Sequence, residues 1–219
     1  MTVVAVDGPV GSGKSTVARR VAARLGYVYL DTGAMYRAVG LLATEAGVRL
    51  DDEEAVVELA RSAGLRFDGD GRLFAGARDV SAAIRTLEMG AAASRVSALS
   101  GVRELLVEEQ RHFAGDTDIV MEGRDIGTNV FPDAAVKVYL TARPDVRAAR
   151  RAAELREKGD EVADAQVLAA IVERDRRDST RAVAPLRKAA DAVELDTSDM
   201  TLDEVVGAVV GIARGQAGS

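Results

Sequence analysis

The chain has 219 residues, 47% hydrophobic and 29% charged, with a net charge of −6, so it can bury a full core and has the balance of an ordinary globular protein. The acidic balance argues against a protein that coats nucleic acid, and the absence of cysteine excludes disulfide scaffolds, thiolate metal sites and cysteine nucleophiles. One histidine, His112, makes a histidine metal site implausible, and its place near a helix end marks it as a surface residue. No apolar run is long enough to cross a bilayer, so a cytoplasmic location without membrane or nucleic-acid partners is expected.

In chain order, the β-branched run at 3–6 predicts a buried strand and 14–25 a helix, followed by a strand at 27–30 and a helix over 34–46. Asp51 and Glu54 have capping-box spacing at the start of a helix over 52–62. Short extended pieces at 66–67, 72–74 and 78–80, separated by Gly69, Gly71 and Gly76, predict a small antiparallel insert, with a lobe from about 59 to 98. A helix over 103–113, strands at 119–121 and 136–140, helices over 144–157 and 164–176, a strand at 192–195 and a helix over 202–214 complete the pattern. Pro144 suits a first helical position, and Thr201 with Glu204 has the spacing of a second capping box. Strand and helix alternate, which predicts an α/β three-layer fold: a five-stranded parallel sheet flanked by helices, in one domain over 1–219, with the antiparallel β insert lobe.

Directly after the first strand stands Gly8-Pro9-Val10-Gly11-Ser12-Gly13-Lys14-Ser15, followed by Thr16. This is a complete phosphate-binding loop. Glycines let backbone N–H groups turn inward around phosphates, Lys14 offers its charge to the β and γ phosphates, and Ser15 can ligate Mg²⁺. The helix that starts near Lys14 adds the positive end of its dipole to the same anion. A bare glycine turn would not need a lysine and a hydroxyl at those two positions. The loop predicts ATP with Mg²⁺ but leaves open how the nucleotide is used, since switches, motors and small kinases share it.

No Asn-Lys-x-Asp segment follows, which disfavours a guanine switch, and no long apolar strand ends in paired acids as in motors or transporters. The second strand leads into Leu30-Asp31-Thr32-Gly33-Ala34-Met35-Tyr36-Arg37 and the third into Glu122-Gly123-Arg124-Asp125-Ile126-Gly127-Thr128. Both stretches fall at carboxyl ends of strands, where open α/β sheets bind ligands, and arginines there suit an acceptor phosphate.

Together with Arg181-Ala182-Val183-Ala184-Pro185-Leu186, these motifs resemble the bacterial cytidylate kinase family, in the same order and over nearly the whole chain. The resemblance implies phosphoryl transfer from ATP to CMP or dCMP by a monomer. It implies that Ser94, Arg103 and Asp125 read cytosine, that Arg174 and Asp178 contact the sugar, and that Arg37, Arg124 and Arg181 hold the acceptor phosphate. Thr32 stands where relatives often have serine, and keeps the hydroxyl. Arg147, Arg150 and Arg151 would belong to a short lid over about 147–160, with Lys14, Arg150 and Arg151 as catalytic cations. Without the resemblance, those arginines read as the wet face of a helix, with Glu154 four residues from Arg150. UMP or another acceptor, or a nucleotide-gated binding module, are the alternatives that the residues leave open.

Overall fold

The computed structural model describes residues 1–69, 71–157, 159 and 161–216. Its strands and helices are, in order, β1 (Val3–Asp7), α1 (Lys14–Leu25), β2 (Val28–Asp31), α2 (Thr32–Glu45), α3 (Glu53–Ser62), β3 (Leu65–Phe67), β4 (Leu73–Ala75), β5 (Arg78–Asp79), α4 (Leu87–Val96), α5 (Ser100–Ala114), β6 (Ile119–Gly123), β7 (Val136–Thr141), α6 (Pro144–Glu157), α7 (Asp164–Thr180), β8 (Val193–Asp196) and α8 (Leu202–Gln216). A short 3₁₀ turn at Ala83–Arg85 and a π turn at Ile126–Val130 complete the described structure. Position 70 of the expected lobe and positions 158 and 160 of the expected lid lie outside the described residues.

The chain divides into two units, Met1–Tyr29 with Asp116–Ser219, and Leu30–Gly115. The five-stranded parallel sheet has the order β2-β6-β1-β7-β8, with Val3 opposite Ile119 and Val4 opposite Val136. Every residue of β1 and of β6 is buried, as the uninterrupted apolar character of central parallel strands requires. On one face Val4, Val6, Val120, Val136, Val138 and Leu140 pack against Val17 and Val21 of α1 and Val206 and Val209 of α8. In the same unit α6 and α7 pack through Ala148, Ala152, Leu155, Val167 and Ile171. The expected capping box opens α8: the Glu204 carboxylate accepts from the Thr201 backbone at 2.8 Å, and the Thr201 hydroxyl accepts from the Glu204 N–H at 3.3 Å.

The second unit carries the antiparallel sheet β3-β4-β5 and helices α2 to α5. Met35, Val39, Val56, Val96, Val102 and Leu106 form one apolar cluster, and Leu41, Leu73, Val80 and Ile84 belong to another. Residues 59–98 lie inside this unit. Two local expectations are corrected there. The cap of α3 is Asp52, whose carboxylate accepts from Ala55 N at 3.2 Å, one residue after the Asp51 expected to open the helix. The segment after β5 contains a full helix, α4, which was not expected from the sequence; Gly40 of α2 lets it approach, since a Cβ there would stand 2.8 Å from that of Ala92.

No helix among the described residues is long and apolar enough to cross a membrane.

Candidate active site

β1 delivers the chain to the phosphate loop, and two glycines there have steric reasons to be glycine. Gly8 has φ +154°, and a Cβ on it would stand 2.1 Å from the Leu140 carbonyl oxygen; Gly11, at φ +75°, would meet the Arg147 carbonyl oxygen at 2.8 Å. Gly13, also left-handed, precedes the first turn of α1, so the first N–H groups of that helix face the loop. Lys14 is buried at the start of the helix and donates to the Pro9 carbonyl at 2.9 Å. Burial pushes its ammonium down to about 7, and the nearby Arg124 adds to that, against Glu122. An arriving polyphosphate would restore its charge. Ser12, also buried, has a hydroxyl without a hydrogen-bond partner among the described residues.

The Ser15 hydroxyl donates to one oxygen of Glu122 at 2.7 Å, and the Tyr29 hydroxyl donates to the other at 2.5 Å. Arg19 lies over the Tyr29 ring, 4.7 Å from its centre. Glu122 is buried at the end of β6, so this carboxylate is held beside the loop by strand geometry and by two hydroxyls.

Beyond β6 the expected residues Arg124, Asp125, Arg174, Asp178 and Arg181 come together. Arg124 Nε donates to Asp178 at 3.0 Å, Arg174 approaches the same carboxylate oxygen at 3.9 Å, and Arg181 stands 3.6 Å from Asp125. Burial pushes the Asp178 carboxyl up, but Arg124 and Arg174 outweigh it and hold it below the usual range. Three guanidiniums thus stand on two carboxylates, Asp178 and Asp125. Arg181 is oriented by its own loop, donating from Nε to the Ala184 carbonyl at 2.7 Å; Ala184 is the one described non-glycine residue at positive φ, +45°. The Asp178 carbonyl accepts from Leu186 N at 2.7 Å, closing that loop back onto α7.

On α6, Arg147 is buried, donating to the carbonyls of Ala142 at 2.9 Å and Val10 at 3.0 Å and to Asp175 at 2.5 Å. It thereby ties the base of α6 to the phosphate loop. Arg150 donates to Thr197, and Glu154 accepts from Arg151, three residues before it. The expected partner of Glu154 was Arg150.

In the second unit, Thr32 is buried at the first position of α2, after the cap Asp31. Asp31 accepts from Ala34 N at 3.0 Å with one oxygen and from Arg37 at 2.7 Å and Arg85 at 2.8 Å with the other. Ser94 is buried on α4, and its hydroxyl has no hydrogen-bond partner among the described residues. Arg103 is 2% exposed, donates to the Ser97 carbonyl at 3.3 Å and lies over the Tyr36 ring, 5.5 Å from its centre. The Ser97 hydroxyl donates to the Ser94 carbonyl at 3.1 Å, so Ser94 and Arg103 share a neighbourhood. His112 is exposed. Sequence reasoning missed Arg85 and the anchoring role of Asp31; a carboxylate three residues before Ala34, at the start of a helical pattern, was the available signal for the latter.

A parallel sheet whose first strand enters a glycine turn, followed by a buried lysine and a helix N-terminus, defines a P-loop protein. The fold is shared with shikimate kinase from Bacteroides thetaiotaomicron, at a TM-score of 0.53 and 15% identity over 100% of this chain and 99% of that one. The family model described as cytidylate kinase matches residues 4–215. Cytidylate kinases from Lactobacillus gasseri and Methylococcus capsulatus are 48% and 49% identical to this chain, covering 93% of it and 90% and 93% of themselves. The chain belongs to the cytidylate kinase family.

Proposed function

We propose that the protein transfers the γ-phosphoryl group of ATP to the 5′-phosphate of CMP or dCMP, giving ADP and CDP or dCDP. Beside family membership, the observation that carries this reading is the cluster of Arg124, Arg174 and Arg181 on Asp178 and Asp125, a second cationic set in the same unit as the phosphate loop. An oxygen of the acceptor phosphate forms the new bond to the γ-phosphorus while the bond to the bridging oxygen of ADP breaks. That oxygen is already nucleophilic near neutral pH, so the protein supplies position and charge rather than a general base.

The roles follow residue by residue. Gly8 to Thr16 hold the triphosphate, with Lys14 on its β and γ groups. Arg37, Arg124 and Arg181 take the acceptor phosphate, Arg174 and Asp178 the sugar, and Ser94, Arg103 and Asp125 the cytosine, with Thr32 at the acceptor side. The unpartnered Ser94 hydroxyl suits a polar base edge, since a buried hydroxyl without a partner is otherwise costly. Mg²⁺, when bound, neutralises charge on the phosphates. The Ser15 hydroxyl with Glu122 beside it fits an ion carried mainly by nucleotide oxygens and water.

We assign residues 147–160 to the lid and 59–98 to the monophosphate-binding lobe of a monomer. Arg150 and Arg151 are the lid cations. The Arg151–Glu154 pair is partly exposed and is worth at most about 1 kcal/mol, so a phosphate can displace it. The test is ADP release from Mg·ATP with CMP, dCMP, UMP, AMP and GMP offered singly. Fast release with CMP and dCMP alone is expected; release that ignores the acceptor would overturn the reading.

A further inference from the structure

Phosphoryl transfer as described makes no use of Asp7. Asp7 is the last residue of β1 and is 5% exposed, next to Gly8, where the phosphate loop begins. The ladder between β1 and β6 ends with Asp7 opposite Gly123. Past that pair the strands part, one chain entering the loop and the other entering Arg124 and Asp125. One Asp7 oxygen accepts from Ile126 N at 2.9 Å and the other from Gly127 N at 2.8 Å.

These two N–H groups open the π turn Ile126–Val130, where donors have no acceptor within the turn itself. Asp125, at the capping position, makes no side-chain cap and instead accepts from Asn129 Nδ2 at 3.2 Å. The Asp7 carboxylate does the work of a cap from another strand. It does so against a cost, because burial pushes its carboxyl up to about 6 in spite of both N–H bonds. A Cβ on Gly127 would stand 3.1 Å from Lys137 Cδ and 3.5 Å from an Asp7 oxygen, so the turn is hemmed in on both sides.

We propose that Asp7 is a positioning residue for the acceptor nucleotide: its two hydrogen bonds fasten the turn after Asp125 to the root of the phosphate loop and so fix where Arg124 and Asp125 stand relative to it. This rests on the reading that Arg124 and Asp125 take the acceptor. Asparagine at this site keeps the volume but sets an amide donor against one backbone donor, which releases half of the clamp.

Steady-state kinetics of Asp7→Asn, Asp125→Asn and the double variant test it. For Asp7→Asn the KM for CMP should rise about tenfold, the effect of one lost hydrogen bond, with the KM for ATP and kcat nearly unchanged. The double variant should be no worse for CMP than Asp125→Asn alone, because one residue acts through the other. Equal losses for ATP and CMP, or additive effects, would make Asp7 a general structural anchor and overturn the inference. Should Asp125→Asn itself leave the KM for CMP unchanged, the acceptor reading fails and the inference with it. If Asp7→Asn does not fold, Gly127→Ala displaces the same turn with Asp7 intact; the same CMP-selective rise supports the inference, and wild-type constants overturn it.

Discussion

Asp31 and Arg85 meet at 2.8 Å across the second unit, on the same carboxylate oxygen that Arg37 reaches at 2.7 Å, while the other oxygen caps α2. One side chain therefore starts a helix and aligns two cations. Burial alone would push the carboxyl up, but Arg37 and Arg85 outweigh it and hold it at about 2.

The stability that Asp31 contributes is therefore complete above its unfolded value, near 3.8, and is lost as pH falls through about 2. Asparagine retains the cap but not the ion pairs. Urea denaturation between pH 5 and pH 2 should show the wild type losing about 2 kcal/mol relative to Asp31→Asn. Parallel curves for the two proteins would mean that the pairs contribute nothing net.

Lys14 near 7 is largely uncharged at pH 8 until a phosphate arrives, so ATP binding at that pH should take up close to one proton. Titration calorimetry in two buffers of different ionisation enthalpy measures this directly. Lys14→Ala should abolish the buffer dependence and lower turnover by about 10³-fold or more. Near-normal turnover would remove Lys14 from the transition state.

Arg103→Met preserves most of the side-chain volume and the packing over Tyr36 while removing the guanidinium. Affinity for CMP should fall about a hundredfold or more, as expected for an unmade charged hydrogen bond, with ATP affinity within about twofold of wild type. Comparable losses for both nucleotides in binding titrations would take Arg103 out of the cytosine pocket.

Gly11→Ala places a methyl group 2.8 Å from the Arg147 carbonyl oxygen at a φ that disfavours it. Arg147 is also bonded to Val10, so the displacement should reach both the loop and α6. Thermal denaturation should show a loss of about 1–3 kcal/mol, and ATP affinity should fall with it. A stable variant with normal ATP binding would show that the contact yields easily.

Much of this architecture is legible in the sequence because its signals are local. The run at β1, the glycines, Lys14 and Ser15 lie within one short stretch, and the Thr201–Glu204 box is formed within one turn of helix. Helix α4 was not legible because its inward face, Met89, Ala92, Ala93 and Val96, is mostly small, and Gly90 weakens the propensity. Its cap, Thr86 accepting from Met89 N at 3.2 Å, has no acidic partner at the third position. The hydrogen bonds of Asp7 to Ile126 and Gly127, and the pairs Asp31–Arg85 and Asp178–Arg124, join residues far apart along the chain, where spacing carries no information. Arg150 illustrates the limit: an i,i+4 rule offers it Glu154, while the structure gives it Thr197, 47 residues on.

The sheet order bears on how the protein is made. β1 is synthesised before both strands that flank it, β6 and β7, which follow the whole second unit in the chain. As it leaves the ribosome, Val-Val-Ala-Val is an apolar strand with neither edge satisfied, while Leu30–Gly115 can close on its own continuous sequence. The strand that carries the phosphate loop can therefore be enclosed on both sides only once β6 and β7 have been made, after the whole of the second unit.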